Sequence, residues 1–144
     1  MIAVDTNVLL RYLLQDDALQ SHKAASLMTG ARPVLITDVV LVETIGVLTG
    51  TRYRLDHEGV ADVISALFAE PNVVFEDAQT VWRALNDYRK AQAVKVSGKK
   101  KRADFADALI VNKARLRATS FQQSLEGIYT FDVAALEIPG TLSP

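Results

Sequence analysis

The chain has 144 residues, of which 49% are hydrophobic and 23% charged, and its formal net charge is −1 from 16 basic and 17 acidic side chains. This size and composition suit one globular domain, which we expect to span residues 1–144, and they exclude a disordered chain and a simple polycationic nucleic-acid binder. Because there is no cysteine, no apolar leader and no apolar run of about 20 residues, we expect a cytoplasmic protein without disulfides, thiolate metal sites or a membrane span.

The first predicted element is a buried strand. Residues 2–4 form an apolar run without polar alternation, as in strands that are covered on both faces of a parallel sheet. Asp5 ends the run, and apolar residues then recur at helical spacing from residue 8 to residue 13. An acid therefore lies at the carboxyl edge of a strand, where open α/β sheets bind ligands. The alternative is that Asp5 or Asn7 only caps the following helix.

The rest of the chain alternates between helical and strand patterns. Helices are predicted at about residues 18–28, 39–48, 56–68, 77–88 and 105–117. Strands are predicted at 34–36, 73–75 and 128–131, with a short fifth near 136–138, and a polar, basic loop is predicted at about 93–102. Strands that alternate with helices predict βαβ units and a parallel sheet. We therefore expect a three-layer α/β/α sandwich with a mostly parallel central sheet of four or five strands.

Glu43 lies in a predicted helix that has very little polar surface around it. An ionised glutamate in apolar surroundings costs several kcal/mol unless it is paired or bound to a metal. The alternatives are a solvent-facing stripe through Glu43 and Val47, or a salt bridge to a nearby arginine.

Three further acids stand near predicted element ends. Asp104 and Asp107 are spaced i and i+3 at a helix start, which points both carboxylates to one side, although acids in a first turn also cap backbone N–H groups. Asp132 follows a predicted strand, as Asp5 does. If both strands are parallel, the two acids emerge at the same edge of the sheet, and we expect acids from distant segments to converge there.

Several carboxylates in one small volume repel each other, which costs stability in a purely structural role. A hard divalent cation such as Mg²⁺ or Mn²⁺ resolves that conflict, because it prefers oxygen ligands and often also binds phosphate. The predicted chemistry is phosphodiester hydrolysis by metal-activated water, without a protein nucleophile.

The chain resembles a PIN domain of the VapC type, the toxin ribonucleases of bacterial and archaeal toxin–antitoxin pairs. The resemblance runs over nearly the full length. It rests on residues 4–9, Glu43, residues 104–110 and residues 130–132, which occur in the family's order.

The resemblance implies a Mg²⁺- or Mn²⁺-dependent endoribonuclease that forms homodimers and is blocked by a VapB-type antitoxin. It also implies roles for eight residues: Asp5, Glu43 and Asp107 as core metal-binding acids, Asp132 as a fourth, Asp104 as an accessory acid, Thr6 and Asn7 as side chains that orient Asp5, and Thr130 as a hydrogen-bonding group of the site.

A basic cluster precedes Asp104 and is made of Lys95, Lys99, Lys100, Lys101 and Arg102. It is a candidate for binding RNA phosphates, and the alternative is a solvated loop. Arg11, on the first predicted helix, is a further candidate for phosphate contact or for neutralising an acid.

Two other functions are compatible with some of these features. A haloacid-dehalogenase-like phosphohydrolase also begins with a strand that ends in Asp, but its chemistry needs a second Asp two residues later, where this chain has Asn7. A non-catalytic PIN-like binding module would keep the fold and lose the metal, and the intact acids argue against it.

Overall fold

The structure, a computed structural model, describes all 144 residues and contains six α-helices and seven short strands. The chain divides into two compact units, Met1–Ala78 and Gln79–Pro144. The sequence-based expectation of a single domain over residues 1–144 stays a prediction. None of the helices has the length and hydropathy needed to cross a membrane.

The first unit contains a three-stranded parallel sheet. Its strands are β1 (Ile2–Ala3), β2 (Val34–Ile36) and β3 (Val73–Phe75), with β2 in the middle. Parallel strands require crossover connections, and here each crossover consists of two helices. The carboxyl ends of the three strands therefore share one edge of the sheet.

Four helices make these crossovers. Helices α1 (Thr6–Leu14) and α2 (Ala18–Met28) connect β1 to β2, and helices α3 (Asp38–Thr49) and α4 (His57–Ala69) connect β2 to β3. Each helix begins after a side chain that accepts a hydrogen bond from a backbone N–H of the first turn; these caps are Asp5, Asp17, Thr37 and Asp56. The helices bury one apolar side each, as α4 does with Val60, Ala61, Ile64 and Leu67.

The second unit begins with α5 (Ala78–Lys90, whose first residue lies at the unit boundary) and contains α6 (Phe105–Ser120). The two helices contact each other through the rings of Tyr88 and Phe105, whose centroids lie 6.0 Å apart in an edge-to-face arrangement. Both side chains are buried.

Short strands complete the second unit. Strands β4 (Val94–Val96) and β5 (Lys99–Lys101) form an antiparallel hairpin between α5 and α6. Strand β6 (Ile128–Tyr129) pairs in parallel with β7 (Thr141–Leu142), and a 3₁₀-helix, Ala135–Glu137, lies between them in sequence.

The predicted α/β class with a parallel sheet is confirmed, with differences in the strands. The parallel sheet of the first unit has three strands rather than four or five, and β1 lies at its edge with Ala3 exposed. The strand expected near residues 136–138 is wrong: residues 136 and 137 belong to the 3₁₀-helix, Ile138 follows it, and the last strand is Thr141–Leu142.

The basic segment predicted as a loop is a hairpin with a two-residue turn. Ser97 and Gly98 both have positive φ, 51° and 78°, which is the backbone of a type I′ turn and matches the twist of the paired strands. The alternation Val94-Lys95-Val96 followed by Ser-Gly is the signal that could have predicted this hairpin.

One hydrogen bond of the first unit gives a testable pH dependence. The Tyr12 hydroxyl donates to Glu70 Oε1 at 2.5 Å, and burial, followed by this contact, raises the pKa of Tyr12 to about 12. Because the folded pKa exceeds the ordinary value of 10.0, the stability this phenol contributes is complete below pH 10 and is lost as pH rises through about 12. We expect the 295 nm absorbance titration of the wild type minus that of the Tyr12→Phe variant to have a midpoint at about 12. A difference curve centred at 10 would contradict the contact.

Candidate functional site

The first group of candidate residues lies where β1 passes into α1. Asp5 is exposed, and its Oδ1 accepts a hydrogen bond from the Val8 N–H at 3.0 Å. Thr6 is buried, and its hydroxyl donates to Glu43 Oε2 at 2.6 Å. The sequence predicted that Thr6 would orient Asp5; its hydroxyl instead orients Glu43, which is 37 residues away along the chain.

Glu43 itself is exposed to solvent, so the expectation that apolar surroundings would desolvate it is wrong. Leu41 and Ile45, two positions to either side, turn inward and are buried, whereas Val39 and Val47 share the exposed side with Glu43. This is the solvent-facing stripe that the alternative interpretation described. One carboxylate oxygen of Glu43 is held by Thr6, and the exposed side chain can accept further ligands through the other.

Asn7 and Arg11 lie beside a cavity of about 220 Å³ between α1 and α2. Arg11 donates to both carboxylate oxygens of Asp16, at 2.8 and 2.9 Å, and to the side-chain carbonyl of Gln20 at 2.8 Å. The side-chain hydrogen bond and charge of Asp16 raise the pKa of Arg11. Its guanidinium therefore neutralises Asp16, rather than one of the candidate metal-binding acids.

The sheet edge in this unit also carries Asp38 and Glu76, which follow β2 and β3. The backbone N–H of Asp38 donates to Glu76 Oε2 at 2.9 Å, which links the ends of the two strands. Sequence reasoning did not single out Glu76, although it follows an apolar strand just as Asp5 does.

The second group of candidates lies at the start of α6. Asp107 Oδ2 accepts a hydrogen bond from the backbone N–H of Asp104 at 2.8 Å, which is the contact that the helix-capping alternative describes. Asp104 is exposed and Asp107 is half-buried. This contact fixes the Asp107 carboxylate and occupies one of its two oxygens.

Asp107 is in an electrostatically unfavourable place for a carboxylate. Burial raises its pKa, and the negative charges of Asp104 and Asp132 raise it further, while the Asp104 N–H and Lys101 act in the opposite direction. A nearby cation would offset both unfavourable contributions. Asp107 also lines a cavity of about 90 Å³ together with Thr130, so residues of α6 and of the chain after β6 meet there.

Asp132 is held by contacts on both sides of its carboxylate. Its Oδ2 accepts from Lys101 Nζ at 2.9 Å, its Oδ1 accepts from the Ala134 N–H at 2.9 Å, and its own N–H donates to Thr130 Oγ1 at 3.0 Å. The hydrogen bond from Lys101 lowers the pKa of Asp132, and the same contact raises the pKa of Lys101. Asp104 and Asp107 also raise the pKa of Lys101 through their charge.

The basic cluster lies on the β4–β5 hairpin and on Arg102, the residue that follows β5. Lys99, Lys100 and Lys101 make up β5 and are exposed, and Lys95 lies on β4. Arg102 follows and donates to the carbonyl of Ala91 at 3.1 Å. The hairpin reaches the candidate acids through Lys101.

The donor atoms in both groups suit a hard divalent cation, since all of them are carboxylate oxygens. In the second unit, the Lys101 ammonium group lies against Asp132. The negative charges of Asp104 and Asp132 disfavour the ionised form of Asp107. No group of three or more Asp, Glu or His side chains has the arrangement of a metal site. The residues thus fit such an ion by their chemistry, and metal binding remains a prediction.

Comparisons with known proteins show similarity to a protein family and to a solved structure. The family model of the PIN domain matches residues 2–135. Among solved structures, the chain is similar to the crystal structure of VapC20 from Mycobacterium tuberculosis, a toxin that cleaves the sarcin–ricin loop; the identity is 20%, the match covers 100% of both chains, and the TM-score is 0.40. No curated protein sequence matches this chain significantly.

Proposed function

This chain belongs to the PIN domain family, and from that premise we propose that it is a metal-dependent endoribonuclease that hydrolyses RNA phosphodiester bonds, as the toxin of a type II toxin–antitoxin pair. The observation that carries the proposal is the family match over residues 2–135, a range that includes all five acids identified from the sequence. Membership in this family also removes the haloacid-dehalogenase-like alternative.

The proposed roles follow the family resemblance residue by residue. Asp5, Glu43 and Asp107 would hold Mg²⁺ or Mn²⁺, Asp132 would be a fourth ligand, and Asp104 would be an accessory acid. The chemistry that such an ion supplies when bound is activation of water and neutralisation of charge on the phosphate. Support comes from the donor set, which is made entirely of carboxylate oxygens.

The chain's own side chains would prepare these acids for binding. The Thr6 hydroxyl holds one oxygen of Glu43, and the Asp104 N–H holds one oxygen of Asp107. Both contacts fix a carboxylate while leaving its other oxygen for a ligand, and such supporting hydrogen bonds commonly change metal affinity or activity by about 10- to 100-fold. The lysines of the hairpin and Arg102 would bind RNA phosphates.

A cleavage assay tests the proposal directly. In vitro, purified protein is incubated with a mixture of end-labelled RNAs in EDTA, in Mg²⁺ and in Mn²⁺. In a separate experiment, the protein is overproduced in cells and the new 5′ ends of cellular RNAs are mapped. We expect cleavage only with the divalent ion and discrete new 5′ ends. Tight RNA binding without cleavage under any of these conditions would instead support the non-catalytic binding module.

Removing the Thr6 hydroxyl tests whether this side chain orients Glu43. We expect Thr6→Val to lower both Mn²⁺ affinity and RNA cleavage by about 10- to 100-fold, because Glu43 loses its fixed orientation. Isothermal titration with Mn²⁺ and initial cleavage rates measure the two effects. Thr6→Ser keeps the hydroxyl and should retain both properties; equal losses in the serine and valine variants would contradict the assigned role.

The resemblance extends the proposal to partners and location. We propose a cytoplasmic homodimer that is inhibited by a VapB-type antitoxin. Sedimentation velocity of the chain alone tests the dimer, since a single monomeric species at micromolar concentration would contradict it.

A further inference from the structure

Two aromatic side chains, one at the end of β6 and one just after it, are exposed. Tyr129 is 62% exposed and Phe131 is 90% exposed. Ile128, which precedes Tyr129, and Thr130, which lies between the two aromatic residues, are half-buried. The sequence predicted a buried strand over residues 128–131, so this exposure corrects that interpretation. A phenylalanine ring that stays in water contributes almost nothing to folding through burial.

The backbone that carries Phe131 is fixed on both sides of the ring. The Thr130 N–H donates to the Leu142 carbonyl at 2.9 Å, and the Asp132 N–H donates to Thr130 Oγ1 at 3.0 Å. The Asp132 carboxylate is fixed in turn by Ala134 and Lys101. The chain therefore presents an exposed ring from an ordered backbone, which reduces the entropy lost when a ligand stacks on it.

The basic hairpin adjoins this segment. Lys101 Nζ lies 2.9 Å from Oδ2 of Asp132, the residue that follows Phe131. In the hairpin register, Lys95 lies directly opposite Lys100. Like charges at opposite positions of two strands destabilise the pairing, and a bound polyanion would remove that repulsion.

We propose that Tyr129 and Phe131 form a stacking surface for the bases of single-stranded RNA, whose phosphates are bound by Lys99 and Lys100 of the adjacent hairpin. Exposed aromatic rings beside cationic side chains are the combination that binds single strands, and paired RNA cannot use them because its base faces are covered. The inference rests on the proposed ribonuclease function and adds to it how an unpaired substrate is held next to Asp132.

A second copy of the chain is the other possible occupant of an exposed apolar surface. In a two-fold symmetric contact, the same surface of both copies meets, so the two hairpins would approach each other. Cationic side chains of one hairpin, such as Lys95 and Lys100, would then lie close to those of its partner. Their charge favours an anionic ligand over self-association.

The test measures RNA binding separately from cleavage. A fluorescein-labelled single-stranded RNA of mixed sequence is titrated with the full chain in EDTA, and affinity is read by fluorescence anisotropy over a range of salt concentrations. The same RNA with 2-aminopurine at successive positions reports stacking. The variants are Phe131→Ala, Phe131→Leu, Phe131→Trp and Tyr129→Ala, and Phe121→Ala is the control, since Phe121 is a 60% exposed aromatic residue that packs against Arg117.

We expect Phe131→Ala and Phe131→Leu to weaken binding by about 5- to 100-fold and Phe131→Trp and Phe121→Ala to leave it within twofold, with unchanged thermal midpoints. The slope of log affinity against log salt should stay the same in the Phe131 variants. In Lys99→Met or Lys100→Met, the magnitude of this negative slope should decrease by about 0.7 for each phosphate contact that is lost.

Three outcomes would overturn the inference. If wild type binds RNA and Phe131→Ala binds it equally well, the stacking surface is wrong while the ribonuclease proposal stands. If Phe131→Leu retains RNA affinity and Phe131→Ala converts a dimer to a monomer in sedimentation velocity, the surface is an interface between copies. If wild type binds no RNA, the inference falls, and the cleavage assay with Mg²⁺ or Mn²⁺ decides the ribonuclease proposal separately.

Discussion

Replacing Asp5 with asparagine is expected to lower RNA cleavage by about 1,000-fold or more, because the change removes one negative charge from the proposed metal-binding acids. Folding should be unaffected: Asp5 is exposed and caps α1 through Val8, and asparagine caps a helix about as well as aspartate does. Single-turnover cleavage of labelled RNA in Mg²⁺ measures the loss, and circular dichroism checks the fold.

Asp17 provides a matched control for this experiment. It caps α2 by accepting from the Gln20 N–H at 2.9 Å, which is the same contact that Asp5 makes at α1, and no role in the site is proposed for it. Asp17→Asn therefore makes the same chemical change in the same backbone setting, and its cleavage rate should stay within twofold of wild type. Cleavage that survives Asp5→Asn would refute the assigned role of Asp5.

The second large effect is expected at Asp107, where activity and stability should change in opposite directions. Burial and the charges of Asp104 and Asp132 raise the pKa of Asp107 above its ordinary value of 3.8. The folded state therefore favours the neutral carboxyl. Its contribution to the free energy of unfolding is fully present below pH 3.8 and is lost as pH rises through the folded pKa. An asparagine has no charge to desolvate, and its side-chain oxygen can still accept from the Asp104 N–H.

We therefore expect Asp107→Asn to unfold at a higher temperature than wild type at pH 7 in EDTA, and to lose cleavage by about 1,000-fold. The stability difference should shrink as pH falls and vanish below the ordinary pKa of an aspartate. Mg²⁺ should raise the unfolding temperature of wild type more than that of the variant. A variant that is less stable than wild type at pH 7 in EDTA would show that Asp107 is a structural cap rather than a strained functional acid.

The helices and the parallel strands of the first unit could be predicted from sequence because their signals are local. Apolar spacing marks the helix interiors, and capping residues such as Asp17 and Asp56 mark the starts. The hairpin was missed because its lysines suggested a solvated loop, although the two-residue turn at Ser97 and Gly98 was a signal for pairing.

Burial was less predictable than secondary structure, because it depends on which neighbours the fold supplies. Glu43 has apolar neighbours in sequence, yet the helix turns Leu41 and Ile45 inward and leaves Glu43 in water. Phe131 was expected in a buried strand and is almost fully exposed. The partnership between Thr6 and Glu43 joins residues 37 positions apart, and no local pattern encodes it.

The ion pair between Lys101 and Asp132 would affect binding of the proposed metal ion. The Lys101 ammonium group and a divalent ion at the same Asp132 carboxylate would repel each other, so binding of the proposed ion there would favour displacement of Lys101. Lys101 would thus lower the affinity of Asp132 for the proposed ion, and once displaced it would add a positive charge beside the place where RNA phosphates are proposed to bind.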